Sequence, residues 1–147
     1  MATTTATISL SSSDLLTDNL SLSSTMSLNK GGTTSTGLDQ FRMERFKIAT
    51  GTQFDVIEAT TAATEDANYV YIINKNTDPT HYVIVSIYDV VIGRLYAGDW
   101  MWMPWDSDVV AVGAGGSAIE IQAYVAEATI EYCLFHNGET KLTSDDS

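Results

Sequence analysis

Ile119-Glu120-Ile121-Gln122-Ala123-Tyr124-Val125, followed after a short link by Ile130-Glu131-Tyr132-Cys133-Leu134, is the stretch that decides the fold. In both runs the apolar residues fall on every second position, while Glu120, Gln122, Tyr124, Glu131 and Cys133 take the other parity. Successive side chains of a strand point to opposite faces, so period two marks a strand with one buried face. The link around Glu127 predicts that these two strands pair as an antiparallel hairpin.

The same signal extends upstream. Tyr69 to Asn74 and Tyr82 to Ile87 are apolar on both parities, which places them at the centre of a sandwich or against a partner. Between them, Lys75-Asn76-Thr77-Asp78-Pro79-Thr80 has the composition of a hairpin turn. Val90 to Tyr96 and Asp99 to Trp105 read as strands bent at Gly98, Phe54 to Ile57 as a short strand, and Val109 to Val112 as another. Thr60 to Asn68 and Gly113-Ala114-Gly115-Gly116 read as loops, and Asn137-Gly138 as a tight turn. Phe41 and Met43 share one parity and Phe46 and Ile48 the other, which favours a bulged strand over a short helix for Gln40 to Ala49.

The first thirty residues are Ser/Thr-rich but not featureless. Leu20, Leu22, Met26 and Leu28 alternate with Ser21, Ser23, Thr25 and Ser27, and Ala6, Ile8 and Leu10 alternate with Thr5, Thr7 and Ser9. ISLSS at 8–12 and LSLSS at 20–24 echo one another, with a turn or short helical turn over Ser13 to Asn19. The organisation predicted is an extended β arm over 1–30, a flexible Gly/Thr/Ser linker over 31–37, a domain over 38–143 and an acidic tail over 144–147. Nine or ten short strands with almost no helical stretch make the chain all-β, an antiparallel β-sandwich or jelly roll, with a small barrel as the alternative.

Composition narrows the function. The 147 residues are 44% hydrophobic, enough for one domain with a core. Seven Lys and Arg face nineteen Asp and Glu, a formal net charge of -12. Nucleic acid and anionic membrane surfaces both demand clustered cations, so neither is an expected partner. One cysteine excludes an internal disulfide. No secretion signal and no apolar run long enough for a spanning helix is visible, so synthesis in a cytoplasm is expected.

No constellation for chemistry stands out. Cys133 with His81 or His136 is the one imaginable nucleophile–base pair, yet Cys133 sits mid-strand, where a thiol is ordinarily a small hydrophobe. One Cys and two scattered His do not make a zinc site. Asp99, Asp106 and Asp108 lack the spacing of a calcium loop, and the glycine run at 113–116 is not followed by Lys and Ser/Thr as a phosphate cradle requires. Any two carboxylates can be imagined as a glycosidase pair, but spacing locates none across a cleft. The chain is therefore read as non-enzymatic, without metal or cofactor.

Two clusters point to contacts. Arg42, Arg45 and Lys47 gather three of the seven cations in one run, either as an acidic-partner site or as cross-strand ion pairs on a solvated face, the latter favoured. Trp100-Met101-Trp102-Met103-Pro104-Trp105 puts three Trp at every second or third position until Pro104 shifts the phase. Such a row is core if buried, and an interface anchor or sugar platform if exposed. Leu20, Leu22, Met26, Leu28, Arg42, Arg45, Trp100, Trp102 and Trp105 are the candidate interface residues.

Tyr69-Val70-Tyr71-Ile72-Ile73-Asn74-Lys75-Asn76, then Ile92-Gly93-Arg94-Leu95-Tyr96-Ala97-Gly98-Asp99-Trp100, Met103-Pro104-Trp105 and Ile130-Glu131-Tyr132-Cys133-Leu134-Phe135 together resemble a loose family of small structural proteins from tailed bacteriophages. The resemblance spans 69 to 136, about half the chain, through short motifs, and leaves the arm outside. It implies a virion component without catalytic residues, either a capsid decoration or cement protein or a tail or neck adaptor. The partners it implies are the major capsid protein and further copies of the chain as a homo-oligomer. A carbohydrate-binding β-sandwich module is the alternative from the residues alone.

Overall fold

The computed structural model describes residues 3–15, 17–29, 37–38, 40–57, 68–105 and 118–136, with backbone alone at 40, 57, 68 and 136. Among the described residues there are ten strands: β1 Thr4–Ser12, β2 Leu20–Leu28, β3 Gln40–Ile48, β4 Gln53–Ile57, β5 Asn68–Asn74, β6 Tyr82–Ile87, β7 Val90–Tyr96, β8 Trp100–Trp105, β9 Ile119–Ala123 and β10 Ala128–His136. All are antiparallel, and no helix is present among the described residues. No helix there is long and apolar enough to cross a membrane.

β3 to β10 form two four-stranded sheets, ordered β3-β10-β5-β8 and β4-β9-β6-β7. The chain changes sheet at every connection except β6–β7, and this interleaving is that of an eight-stranded jelly roll. Left-handed glycines serve two of the crossings, Gly51 (φ 76°) from β3 to β4 and Gly98 (φ 85°) from β7 to β8. The inner faces meet in one core of Ile48, Val56, Val70, Ile72, Val83, Val85, Leu95, Trp105, Ile119, Ile121, Ala123, Ala128, Ile130, Tyr132 and Leu134. The inward parities are those that the alternation assigns to β9 and β10.

Three local expectations are corrected. The strands 119–125 and 130–134 do not pair with each other: β9 lies between β4 and β6, and β10 between β3 and β5. The same holds for β5 and β6, which the 75–80 turn joins across the sandwich rather than as a hairpin. Alternation tells which face is buried but not which strand is the neighbour, and interior strands gain two ladders by crossing over. The third correction is β3, which runs against β10 in unbroken register from Gln40↔His136 to Ile48↔Ala128, without a bulge. Its change of apolar parity is real, because Phe46 and Ile48 pack inward while Phe41 makes a tilted ring contact with Phe135 on the outer face.

Among the described residues β1 and β2 pair only with each other, from Thr4↔Leu28 to Ser12↔Leu20. The two echoing segments are thus cross-strand partners, Ile8 facing Ser24. The expected loop 60–68 and strand 109–112, the glycine run 113–116, the Asn137-Gly138 turn, the linker at 31–36 and the tail at 144–147 lie wholly or almost wholly outside the described residues.

Candidate functional site: an aromatic face and a two-faced hairpin

Facing strands share parity, so the outer face of the β3-β10-β5-β8 sheet can be read from register: Phe41, Phe135 and Tyr69 cross it, as do Met43, Cys133, Tyr71 and Trp102. Their rings form a continuous row. Phe41 and Phe135 have centroids 5.0 Å apart, Phe135 meets Trp102 edge-on at 5.6 Å, and Trp102 stacks on Tyr69 at 5.6 Å with planes only 8° apart. Trp100 lies 6.0 Å from Tyr71 at the sheet edge and is 52% exposed. Aromatic pairs at these separations add stability beyond the area they bury.

The Trp cluster divides by parity. Trp100 and Trp102 stand on the outer face, whereas Trp105 is in the core, 4% exposed. β8 is an edge strand, which is why Pro104, lacking an N–H, is tolerated within it. The sequence placed the three Trp together but missed Phe41, Tyr69, Tyr71 and Phe135. The missing information was register, because these residues come from three other strands.

The hairpin is two-faced. Ala6, Ile8, Leu10, Leu20, Leu22, Met26 and Leu28 share one side, and Thr5, Thr7, Ser9, Ser11, Ser21, Ser23, Thr25 and Ser27 share the other. Thr7 and Thr25 hydroxyls bond across the ladder at 2.8 Å. Of the apolar side, Leu28 is buried and Leu20 half-buried, whereas Ile8, Leu10, Leu22 and Met26 are exposed. A half-open cavity of about 350 Å³ lies where Thr4 to Ile8 and Leu28 face Tyr71, Trp100, Trp102 and Phe135. The hairpin is therefore seated on the aromatic face at its Thr4/Leu28 end and bare further along.

The cations of β3 are paired. Arg42 bonds the Glu44 carboxylate, which also accepts the Tyr132 hydroxyl at 2.8 Å. Arg45 pairs across the ladder with Glu131 at 2.5 Å, and Lys47 reaches Glu127 at 3.0 Å. Arg45–Glu131 is a cross-strand pair, whereas Arg42 and Glu44 lie on the same strand, and exposed pairs such as Lys47–Glu127 contribute little. A second cluster, unmarked in the sequence, lies on the opposite sheet: the Arg94 guanidinium sits 4.1 Å from the Tyr82 ring centroid, with Tyr96 and Tyr124 5.3 and 5.4 Å from the same ring.

Cys133 lies on the outer face between Met43 and Tyr71, and burial, then the nearby Glu131 charge, pushes its thiol above the ordinary value. That opposes thiolate formation, the reverse of what a nucleophile needs. His81 is in the other sheet's approach, 3.5 Å from Asp78. Among the described residues no group of three or more His, Cys, Asp or Glu is placed to hold a metal ion. No protein-family model, no curated protein and no solved structure matches the chain.

Proposed function

We propose that this chain is a non-enzymatic structural subunit of a tailed-phage virion, a capsid decoration or cement protein, that associates with copies of itself and with the capsid surface through its hairpin. The observation that carries the reading is the bare apolar side of the hairpin, with Leu10 51% and Leu22 48% exposed on a segment that projects beyond its seat. A contiguous exposed apolar surface marks an interaction site. Charge supports the same surface: between residues 3 and 29 the only charged side chains are Asp14 and Asp18, in a molecule of net charge -12. Acidic copies repel least where they carry least charge. β7 adds a second apolar edge, Val90, Val91 and Ile92, all exposed. A jelly roll offering an apolar appendage is suited to a lattice, and jelly rolls recur in capsid proteins.

Light scattering of the full chain and of a variant beginning at Thr33 tests self-association. Among the described residues the cluster packed between the two sheets takes no side chain from β1 or β2, so the shortened chain retains that core and loses only the buried Leu28 at the hairpin's end. The full chain is expected as an oligomer and the variant as a monomer; a monomeric full chain overturns the self-association. Mass spectrometry of purified particles whose genome encodes the chain tests the virion role. Stoichiometric presence supports it, and absence from the particle removes it.

A further inference from the structure

We infer that the cavity between β1 and the aromatic face is a binding site for a neutral saccharide. Its volume, about 350 Å³, is within the range of small-ligand sites. Among the described residues no charged side chain lines it. That disfavours phosphate, carboxylate and ammonium ligands, whose charges need a partner when desolvated. It is half-open, whereas an acyl chain, at about 0.8 kcal/mol per methylene, gains affinity only by burying many of them.

The walls suit a sugar, which has an apolar C–H face and a rim of hydroxyls. Trp100 supplies the platform, with half its surface open and only a tilted contact to Tyr71. Trp102 supplies a fixed wall, held flat on Tyr69 and edge-on by Phe135. Rigid aromatic surface costs little entropy on binding. Polar groups come from the hairpin side: Thr4 shares the side of Leu28, and among the described residues β1 is laddered on one edge, so its other edge offers main-chain donors and acceptors that the hairpin itself does not pair. The site is separate from Leu10 and Leu22, so it stands or falls independently of self-association.

The test is isothermal titration of the full chain with cellohexaose, maltohexaose and an N-acetylglucosamine hexamer, with tryptophan fluorescence read in parallel. Saturable binding of at least one is expected, with affinity reduced tenfold or more in Trp100→Ala and unchanged in Tyr124→Ala on the opposite sheet. Both side chains are more than half exposed, so both variants keep the fold; matching far-UV circular dichroism checks this. Absence of saturable binding to all three sugars, or equal affinity in Trp100→Ala, overturns the inference.

Discussion

The jelly roll and the N-terminal hairpin are written in the same alternation, yet they end in opposite conditions. In β9, Ile119, Ile121 and Ala123 all lie in the core. In β2, Leu20, Leu22, Met26 and Leu28 repeat the pattern, but only Leu28 is buried. The difference is a second layer. Each sandwich sheet has another sheet about 10 Å away to receive its apolar side, the usual spacing of face-to-face sheets. The hairpin has such a surface only at one end. A two-stranded sheet alone is marginally stable in water, so the hairpin depends on its seat and on whatever covers the remainder.

The contrast is sharpest in core substitutions. Ile130→Ala, in the centre of the sandwich, is expected to cost about 2–5 kcal/mol in urea unfolding. Leu22→Ala on the hairpin, measured in dilute monomer, is expected to change stability by no more than about 0.5 kcal/mol. Comparable losses would show that the hairpin is part of the cooperative core.

Asn74→Ala comes next. Asn74 is fully buried; its amide donates to the Leu95 carbonyl at 3.1 Å and its side-chain oxygen accepts the Asn76 N–H at 3.0 Å. Its main chain also bonds Asp99 and Gly98, tying the end of β5 to the β7–β8 crossing. Stranding those groups should cost about 1–3 kcal/mol, read from the same unfolding curves.

Leu28→Ala is smaller globally and larger locally. Hydrogen exchange should accelerate across Thr4–Ser12 and Leu20–Leu28 while protection in β5, β6, β9 and β10 persists. Uniform loss of protection would contradict a hairpin seated on an independent sandwich.

The smallest effect concerns Glu120, whose carboxylate accepts the Asp89 N–H at 3.0 Å. Tyr88 and Asp89 are both left-handed (φ 50° and 60°), a conformation costly for residues other than glycine. Burial, with help from Asp89 and Asp55, raises the Glu120 carboxyl above its ordinary 4.5. The folded state therefore holds this proton more tightly than the unfolded chain. The associated stability is full below 4.5 and declines as pH rises through the raised value. Glu120→Gln keeps an acceptor for Asp89 and should gain on the wild type as pH rises from acid to neutral; an identical pH profile would refute this.

Much of the sandwich was legible because burial is written in parity. The inward residues of β9 and β10 follow from alternation, and the doubly apolar runs of β5 and β6 mark strands interior to their sheets without saying which parity faces the core. Pairing was not legible, since a short link such as Ala49–Thr52 or Lys75–His81 can close a hairpin or cross between layers, and only global packing decides. The candidate site was half visible for the same reason. Trp100 and Trp102 are neighbours in sequence, but Phe41, Tyr69, Tyr71 and Phe135 join them only through the register of four strands. The hairpin's bare side was readable as alternation, though its exposure depends on how far the hairpin extends beyond the sheet.

The most direct test of that exposed side as an assembly surface is sedimentation equilibrium of the full chain beside Leu10→Asp/Leu22→Asp, over a range of concentrations. A wild type that forms a defined oligomer and a folded double variant that stays monomeric is the predicted result. The same mass distribution for both proteins would contradict the account.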